Sequence, residues 1–208
     1  MSVLVVGGHS RDIGKTSVAC AIIEANRHLG WTALKITQFG HHVCTTNGGE
    51  CDCAVEDPEH PFAITRQTDS AGGSDTARML AAGAADAYWV RARIGNLEPA
   101  LPALRALIAQ REYVLIESNS ILQFLKPDLY LSVLRYDVED FKVSSRAYLD
   151  HADAFVVTAS TESRSRWKGI DPEILRSRPL FAVRPPSYVS SELLAFVADQ
   201  LELPQPVS

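Results

Sequence analysis

The chain has 208 residues, of which 46% are hydrophobic and 22% charged, and its formal net charge is −5. This length and composition suit one globular α/β domain over residues 1–208, and the acidic balance, without a run rich in Lys or Arg, argues against nucleic-acid binding. No uninterrupted apolar stretch is long enough to span a bilayer. We expect a cytoplasmic protein without a signal peptide, whose four cysteines are thiols or metal ligands rather than disulfides.

Residues 3–17, VLVVGGHSRDIGKTS, predict a strand at Val3–Val6, a glycine-containing loop, and a helix from Lys15 to about Leu29. Amides at a helix start attract anions, Lys15 adds a full positive charge, and Thr16 offers a hydroxyl to Mg²⁺. Five residues separate Gly8 from Gly14, one more than in the common G-x4-G-K-[ST] pattern. We predict a phosphate-binding loop whose nucleotide contacts are Gly8, His9, Ser10, Asp12, Ile13, Gly14, Lys15, Thr16 and Ser17.

A second strand is predicted at Trp31–Thr37, and it carries Lys35 inside an apolar run. A lysine in such a place either extends its ammonium to the surface or points it at the phosphates or at a substrate carboxylate. We therefore include Lys35 among the candidate nucleotide-binding residues.

Residues 38–73 form a long excursion in which no hydrophobic period holds. Three cysteines and three histidines fall within the 20 residues from His41 to His60. Cys and His together favour Zn²⁺, whereas three thiolates could also hold an iron–sulfur cluster. We predict a metal bound by Cys44, Cys51, Cys53 and His60, with free or redox-active thiols as the alternative.

The rest of the chain alternates helices and strands. Helices are predicted at Ser74–Ala82 with Ser74 as N-cap, Pro99–Gln110 and Ser190–Leu201, and strands at Ala87–Val90, Tyr113–Ile116, Leu129–Leu134, Ala154–Thr158 and Leu180–Val183. This alternation predicts an α/β fold with a mainly parallel sheet flanked by helices, in which ligands bind at the carboxyl ends of the strands.

Acidic residues at those strand ends are candidates for Mg²⁺ binding. Glu117 directly follows a predicted strand and could hold Mg²⁺ opposite Thr16, or it is simply a solvated charge. Asp69 or Asp75 could complete the metal shell, although Asp75 could equally favour the first turn of its helix.

These motifs resemble a known family. The loop GGHSRDIGKTS resembles that of dethiobiotin synthetase and its relatives in the SIMIBI branch of P-loop proteins. Over about the first 120 residues the chain is more similar to the molybdopterin-guanine dinucleotide biosynthesis protein B (MobB) family. The matching positions are Lys35, His41-His42, Asp69, Gly73-Ser74-Asp75-Thr76, Arg78, Ala82-Gly83-Ala84 and Ile116-Glu117-Ser118.

The resemblance implies a P-loop protein, commonly dimeric, that binds GTP (or ATP) with Mg²⁺ and assists attachment of a nucleotide to molybdopterin. It implies that Gly14, Lys15, Thr16 and Ser17 contact phosphate and Mg²⁺, and that Glu117 and Asp69 lie near the metal; with Lys15 these are the expected catalytic residues. The chain departs from the family in its long cysteine segment, in Asp12-Ile13, in Ser118-Asn119 after Glu117, and in lacking N/T-K-x-D after Thr158.

The leading hypothesis is a slow GTPase in molybdenum-cofactor maturation, whose partner would be a molybdenum-cofactor enzyme or another metalloenzyme. A metallochaperone GTPase that uses the Cys/His cluster, a dethiobiotin-synthetase-like ATP-dependent ligase or kinase, and an adaptor without turnover remain alternatives.

Overall fold

A mainly parallel sheet forms the centre of the computed structural model, which describes residues 1–39, 61–158 and 167–204. Its strands are β1 (Ser2–Gly8), β2 (Thr32–Phe39), β3 (Phe62–Gln67), β4 (Asp86–Arg93), β5 (Tyr113–Glu117), β6 (Leu129–Leu134), β7 (Ala154–Thr158) and β8 (Leu180–Val183). Their order across the sheet is β3-β4-β2-β5-β1-β6-β7-β8. All neighbouring pairs are parallel except β3 and β4.

Helices cover both faces of this sheet. They are α1 (Lys15–Ala25), α2 (Asp75–Ala81), α3 (Leu101–Ala109), α4 (Val143–Arg146), α5 (Pro172–Arg176) and α6 (Ser191–Gln200). α1, α2 and α6 contribute to the apolar core on one face, and α3 and α5 pack against the core on the other. The predicted α/β architecture, a mainly parallel sheet between helices with a glycine loop joining β1 to α1, is confirmed.

The central strands are buried on both faces, which explains their continuous apolar sequences. In β1, Leu4 and Val6 point into one core, whereas Val3 and Val5 point into the other. The same alternation follows from the period of two along every extended strand.

Two predictions about elements are wrong. No strand is predicted within residues 38–73, where no hydrophobic period holds, yet Phe62–Gln67 forms β3, which pairs antiparallel with β4 at the sheet edge. The first helix ends at Ala25 instead of about Leu29, because a short 3₁₀ turn, Arg27–Leu29, follows it and ends at Gly30. The cysteine-rich insertion itself lies outside the described residues.

Among the residues that the structure describes, no helix is both long and apolar enough to cross a membrane.

Candidate functional site at the carboxyl edge of the sheet

The loop between β1 and α1 contains two residues with a left-handed backbone. Gly14 at the N-cap of α1 has φ 96°, and Asp12 has φ 53°. Both values are left-handed, a conformation that glycine adopts freely and aspartate tolerates better than most residues. The side chain of Ile13 is 1% exposed and fixes the loop to the core. The loop therefore presents the N-terminus of α1 at the carboxyl edge of the sheet.

Lys15 is the first residue of α1, and its ammonium turns back into this loop. Its Nζ donates a hydrogen bond to the carbonyl oxygen of Ser10. The pKa of Lys15 is lowered to about 8, mainly by burial; the charges of Lys142 and Lys35 act in the same direction, and Glu117 opposes them. A bound anion would relieve this crowding of positive charge.

Thr16 and Glu117 meet as the sequence predicts. The Thr16 hydroxyl donates to Glu117 Oε2 at 2.7 Å, and the Glu117 side chain is 2% exposed. Glu117 Oε1 accepts from Lys35 Nζ, and the same ammonium lies 2.9 Å from Asp75 Oδ2. A hydroxyl, two carboxylates and an ammonium thus converge beside the first turn of α1.

The two carboxylates are held by positive side chains. Burial favours the neutral form of Lys35, but Glu117 and Asp75 outweigh it and raise the Lys35 pKa. Burial likewise acts to raise the pKa of Asp75, but Lys35 and Arg78 outweigh it and leave that pKa lowered. Arg78 also donates to Ser17 Oγ at 2.9 Å, which connects α2 to α1.

Asp69, the other predicted carboxylate, occupies a different position. It is exposed, and its Oδ1 accepts a hydrogen bond from the backbone N–H of Ala71 at 2.8 Å. Of the two acidic residues considered from the sequence, it is Asp75 that joins Lys35 and Glu117.

The oxygen donors fit Mg²⁺. This ion is usually held in nucleotide sites by one or two carboxylates together with water and phosphate oxygens. The Thr16 hydroxyl and the carboxylates of Glu117 and Asp75 supply that donor set. Within residues 1–39, 61–158 and 167–204, no three His, Cys, Asp or Glu side chains gather into a further metal site. Cys44, Cys51, Cys53 and His60 lie outside those residues.

His9 is buried and connects the phosphate loop to the segment after β6. Its Nε2 accepts a hydrogen bond from the backbone N–H of Arg135 at 3.1 Å, and its Nδ1 lies 2.8 Å from the carbonyl oxygen of Asp140. Since Nε2 accepts, the proton resides on Nδ1 and the imidazole is neutral. Burial is the main reason that the His9 pKa lies below its ordinary value, and the rings of Phe141 and Trp167 pack around it.

Asn119 fixes the end of β1 and was not predicted from the sequence. Its Oδ1 accepts from the backbone N–H of Gly8, and its Nδ2 donates to the Gly8 carbonyl oxygen, both at 2.9 Å. A Cβ at Gly7 would lie only 2.2 Å from Asn119 Oδ1, so this close approach requires glycine. Asn119 follows Glu117 by two positions. Its place just after β5 is therefore the sequence feature that could have identified it as a candidate residue.

Lys142 adds positive charge to the same region and was also missed. Its backbone N–H donates to the His9 carbonyl oxygen at 2.8 Å, and its charge contributes to the lowered pKa of Lys15. Burial and the neighbouring charge of Arg11 lower the pKa of Lys142 itself. Nothing in the local sequence around Lys142 marks it, since the long connection after β6 brings it to the loop.

A small cavity of about 50 Å³ adjoins the phosphate loop on the side away from Glu117. The ends of β6 and β7 and the segment after β8 complete its wall, which consists of Asp12, Ile13, Gly14, Arg135, Thr158, Pro185 and Tyr188. Thr158 Oγ1 donates to the Ile13 carbonyl oxygen at 2.8 Å and thereby joins the cavity wall to the loop.

No protein-family model and no curated protein matches the chain. The chain is similar to the solved structure of LpxK from Aquifex aeolicus in complex with ATP, with 15% identity, 88% of this chain covered and a TM-score of 0.48. It spans 53% of the length of that LpxK. It is also similar to HypB from Helicobacter pylori in complex with nickel, with 12% identity, coverage of 96% of this chain and 86% of HypB, and a TM-score of 0.48. MobB from Bacillus subtilis is 16% identical over 98% of this chain and 100% of its own, with a TM-score of 0.42.

Proposed function

We propose that this protein binds a nucleoside triphosphate with Mg²⁺ at the carboxyl edge of its sheet and hydrolyses it slowly. The observation that carries the proposal is the convergence of Lys15, Thr16 and the buried carboxylate of Glu117 at the start of α1. A cation, a hydroxyl and a carboxylate around a helix N-terminus are the groups that polyphosphate and its metal require.

Each group has a distinct task. Lys15 and the amides at the start of α1 bind the phosphates, while Thr16 and Glu117 hold the metal. Mg²⁺ supplies charge neutralisation on the phosphate oxygens when it is bound. A carboxylate of the site, that of Glu117 or Asp75, orders the attacking water, in the role that the sequence predicts for Glu117 and Asp69.

The nucleoside would extend from the phosphate loop towards the neighbouring cavity, which at about 50 Å³ has to widen to admit a base. This direction is supported by Gly14, which belongs both to the loop and to the cavity wall, so that a base attached to phosphates at α1 would face Arg135 and Tyr188. Flat apolar and cationic side chains of this kind suit a base, which stacks on them.

Nucleotide binding is tested by titrating the protein with fluorescent GTP and ATP analogues in the presence of Mg²⁺. We expect saturable binding by the wild type. Lys15→Ala should weaken it by about a hundredfold, because removing one partner of a desolvated charge pair costs roughly 2–5 kcal/mol.

Lys126→Ala is the matched control, since Lys126 is exposed and precedes β6 at the opposite edge of the sheet. It should bind like the wild type. Failure of the wild type to bind either nucleotide would contradict the proposed function.

The resemblance to the MobB family supports a narrower proposal. On that basis the nucleotide is GTP, the protein is a cytoplasmic homodimer, and its role lies in maturation of the guanine dinucleotide form of the molybdenum cofactor. Competition between unlabelled GTP and ATP for the site tests the first part, and tighter binding of ATP would contradict it.

The cysteine-rich segment favours a second candidate, a metallochaperone GTPase. Cys44, Cys51, Cys53 and His60 would carry Zn²⁺ or an iron–sulfur cluster, and hydrolysis would control its release. We expect protein purified without added metal to contain about one equivalent of zinc, or iron with sulfide, by elemental analysis.

Cys51→Ser should lose that metal, whereas Cys20→Ser should retain it. Cys20 lies in α1, where burial raises the pKa of its thiol to about 11 and disfavours the thiolate that binds metal. Wild-type protein free of zinc and iron would exclude both the bound metal and the chaperone role.

A further inference from the structure

The ammonium of Lys35 lies between the carboxylate of Glu117, which the proposed function assigns to the metal, and that of Asp75, which completes the same set of oxygen donors. Its Nζ contacts Glu117 Oε1 and lies 2.9 Å from Asp75 Oδ2. The Lys35 side chain is 16% exposed and that of Glu117 only 2%, so this pairing is largely shielded from solvent.

Strand register produces the contact. β2 and β5 are parallel neighbours, and Lys35 stands opposite Glu117 in their pairing. Asp75 reaches the same ammonium from the first turn of α2, where Ser74 caps the helix by accepting from Ala77 N–H at 3.2 Å. The position of Lys35 is thus set by the sheet and by a capped helix.

Charge in this cluster is already balanced. Glu117 and Asp75 contribute two negative charges, while Lys35 and Arg78 contribute two positive ones, the latter with NH1 3.6 Å from Asp75 Oδ1. Burying the Glu117 carboxylate without a counter-ion would be costly, and Lys35 offsets part of that cost. A divalent cation that approached these oxygens would meet an ammonium at contact distance.

We propose that Lys35 is a built-in counter-ion that keeps the carboxylates of Glu117 and Asp75 occupied in the nucleotide-free protein, so that a divalent cation binds with the nucleotide and not before it. Lys35 must release at least one carboxylate before both can ligate a metal. The phosphates that bind at Lys15 and Thr16 can then form an ion pair with the released ammonium of Lys35. This inference rests on the proposed function and adds an order of binding to it.

The test measures Mn²⁺ binding to nucleotide-free protein by electron paramagnetic resonance. Lys35→Met keeps the length of the side chain and removes its charge, so it should tighten Mn²⁺ binding by about tenfold or more, because a like charge near the site is gone. Lys126→Met makes the same exchange at the far edge of the sheet and should leave Mn²⁺ affinity unchanged. Equal Mn²⁺ affinity in Lys35→Met and the wild type would overturn the proposal.

A second comparison does not depend on Lys35→Met folding. In the absence of nucleotide, wild type and Glu117→Gln should bind Mn²⁺ equally weakly, because Lys35 already occupies the carboxylate. Tight Mn²⁺ binding by the nucleotide-free wild type that Glu117→Gln abolishes would show an open metal site and refute the counter-ion role.

The two proposals fail in different ways. If the wild type binds nucleotide but Lys35→Met gains no Mn²⁺ affinity, the counter-ion role is wrong and the proposed function stands. If the wild type binds neither GTP nor ATP, the proposed function is wrong whatever Mn²⁺ does.

Discussion

His9 is a titratable side chain at the centre of the phosphate loop with no exposed surface. The acceptor role of its Nε2 toward the Arg135 N–H requires the neutral ring, since a protonated imidazole would turn a second N–H toward that donor. Ser10 supports the same connection, because its hydroxyl donates to Asp140 Oδ2 at 2.6 Å. The loop therefore keeps this shape only while the imidazole of His9 is neutral.

This dependence predicts a loss of stability in mild acid. The His9 pKa is lowered in the folded protein and returns to about 6.5 on unfolding, so below that value the unfolded chain binds the extra proton. The contribution is complete above pH 6.5 and falls by at most about 1.4 kcal/mol per pH unit as the pH decreases below it. Urea unfolding at pH 7.5 and 5.5 measures the difference.

His9→Asn isolates the effect, because its amide can donate to the Asp140 carbonyl but does not titrate. We expect a smaller loss of stability between the two pH values in His9→Asn than in the wild type. His28→Asn changes an exposed histidine and should retain the wild-type pH dependence. An identical pH dependence in His9→Asn and the wild type would show that His9 is not the responsible group.

Single residues differ in how far the sequence predicts their partners. The approach of Glu117 to Thr16 follows from the rule that parallel strands end at one edge, and the structure has this contact at 2.7 Å. Asn119 and Gly8, by contrast, are 111 positions apart, and their paired hydrogen bonds depend on the register between β1 and β5. The register between two strands cannot be predicted from the residues around Asn119 alone, so the role of Asn119 was missed.

At the level of elements, the strands buried on both faces were the easiest to predict. Leu129–Leu134 is found as predicted, and Tyr113–Ile116 extends by one residue to Glu117. Each is an apolar run between polar segments, and both faces of the sheet bury it. The N-cap Ser74 was equally easy to predict, because an N-cap is a local interaction with the N–H three residues further along the chain.

β3 shows why an edge strand is harder to predict. Only Phe62 and Ile64 of this strand pack against the apolar core, so its alternation is too short to stand out from its surroundings. β4 stabilises β3 in two ways. The two strands pair antiparallel, and Arg66 NH2 forms an ion pair with Asp86 Oδ1 at 2.5 Å. β3 is therefore a strand largely because it pairs with β4, a contact that its own residues do not predict.

For the molecule as a whole, segments that are distant in sequence meet at the carboxyl edge of the sheet, where the parallel strands end. The phosphate loop, the turn after β5, the segment after β6 and the end of β7 join there through His9, Asn119 and Thr158. The opposite edge consists of the short connections that lead into the strands, such as residues 83–86 and 126–128. Under the proposed function, a ligand at the first edge stabilises all of its segments together.

Hydrogen exchange followed by mass spectrometry tests this arrangement. Saturating Mg²⁺ and nucleotide should slow exchange in residues 9–18, 117–120, 135–142 and 185–188, because binding to the native state suppresses local opening wherever the ligand joins segments. Residues 83–86 and 126–128, at the far edge, should change least. Lys15→Ala at the same ligand concentration should show much weaker protection, because its affinity for the nucleotide is about a hundredfold lower. Protection spread evenly over both edges would indicate general stabilisation of the fold, and protection confined to residues 83–86 or 126–128 would place the nucleotide at the wrong edge.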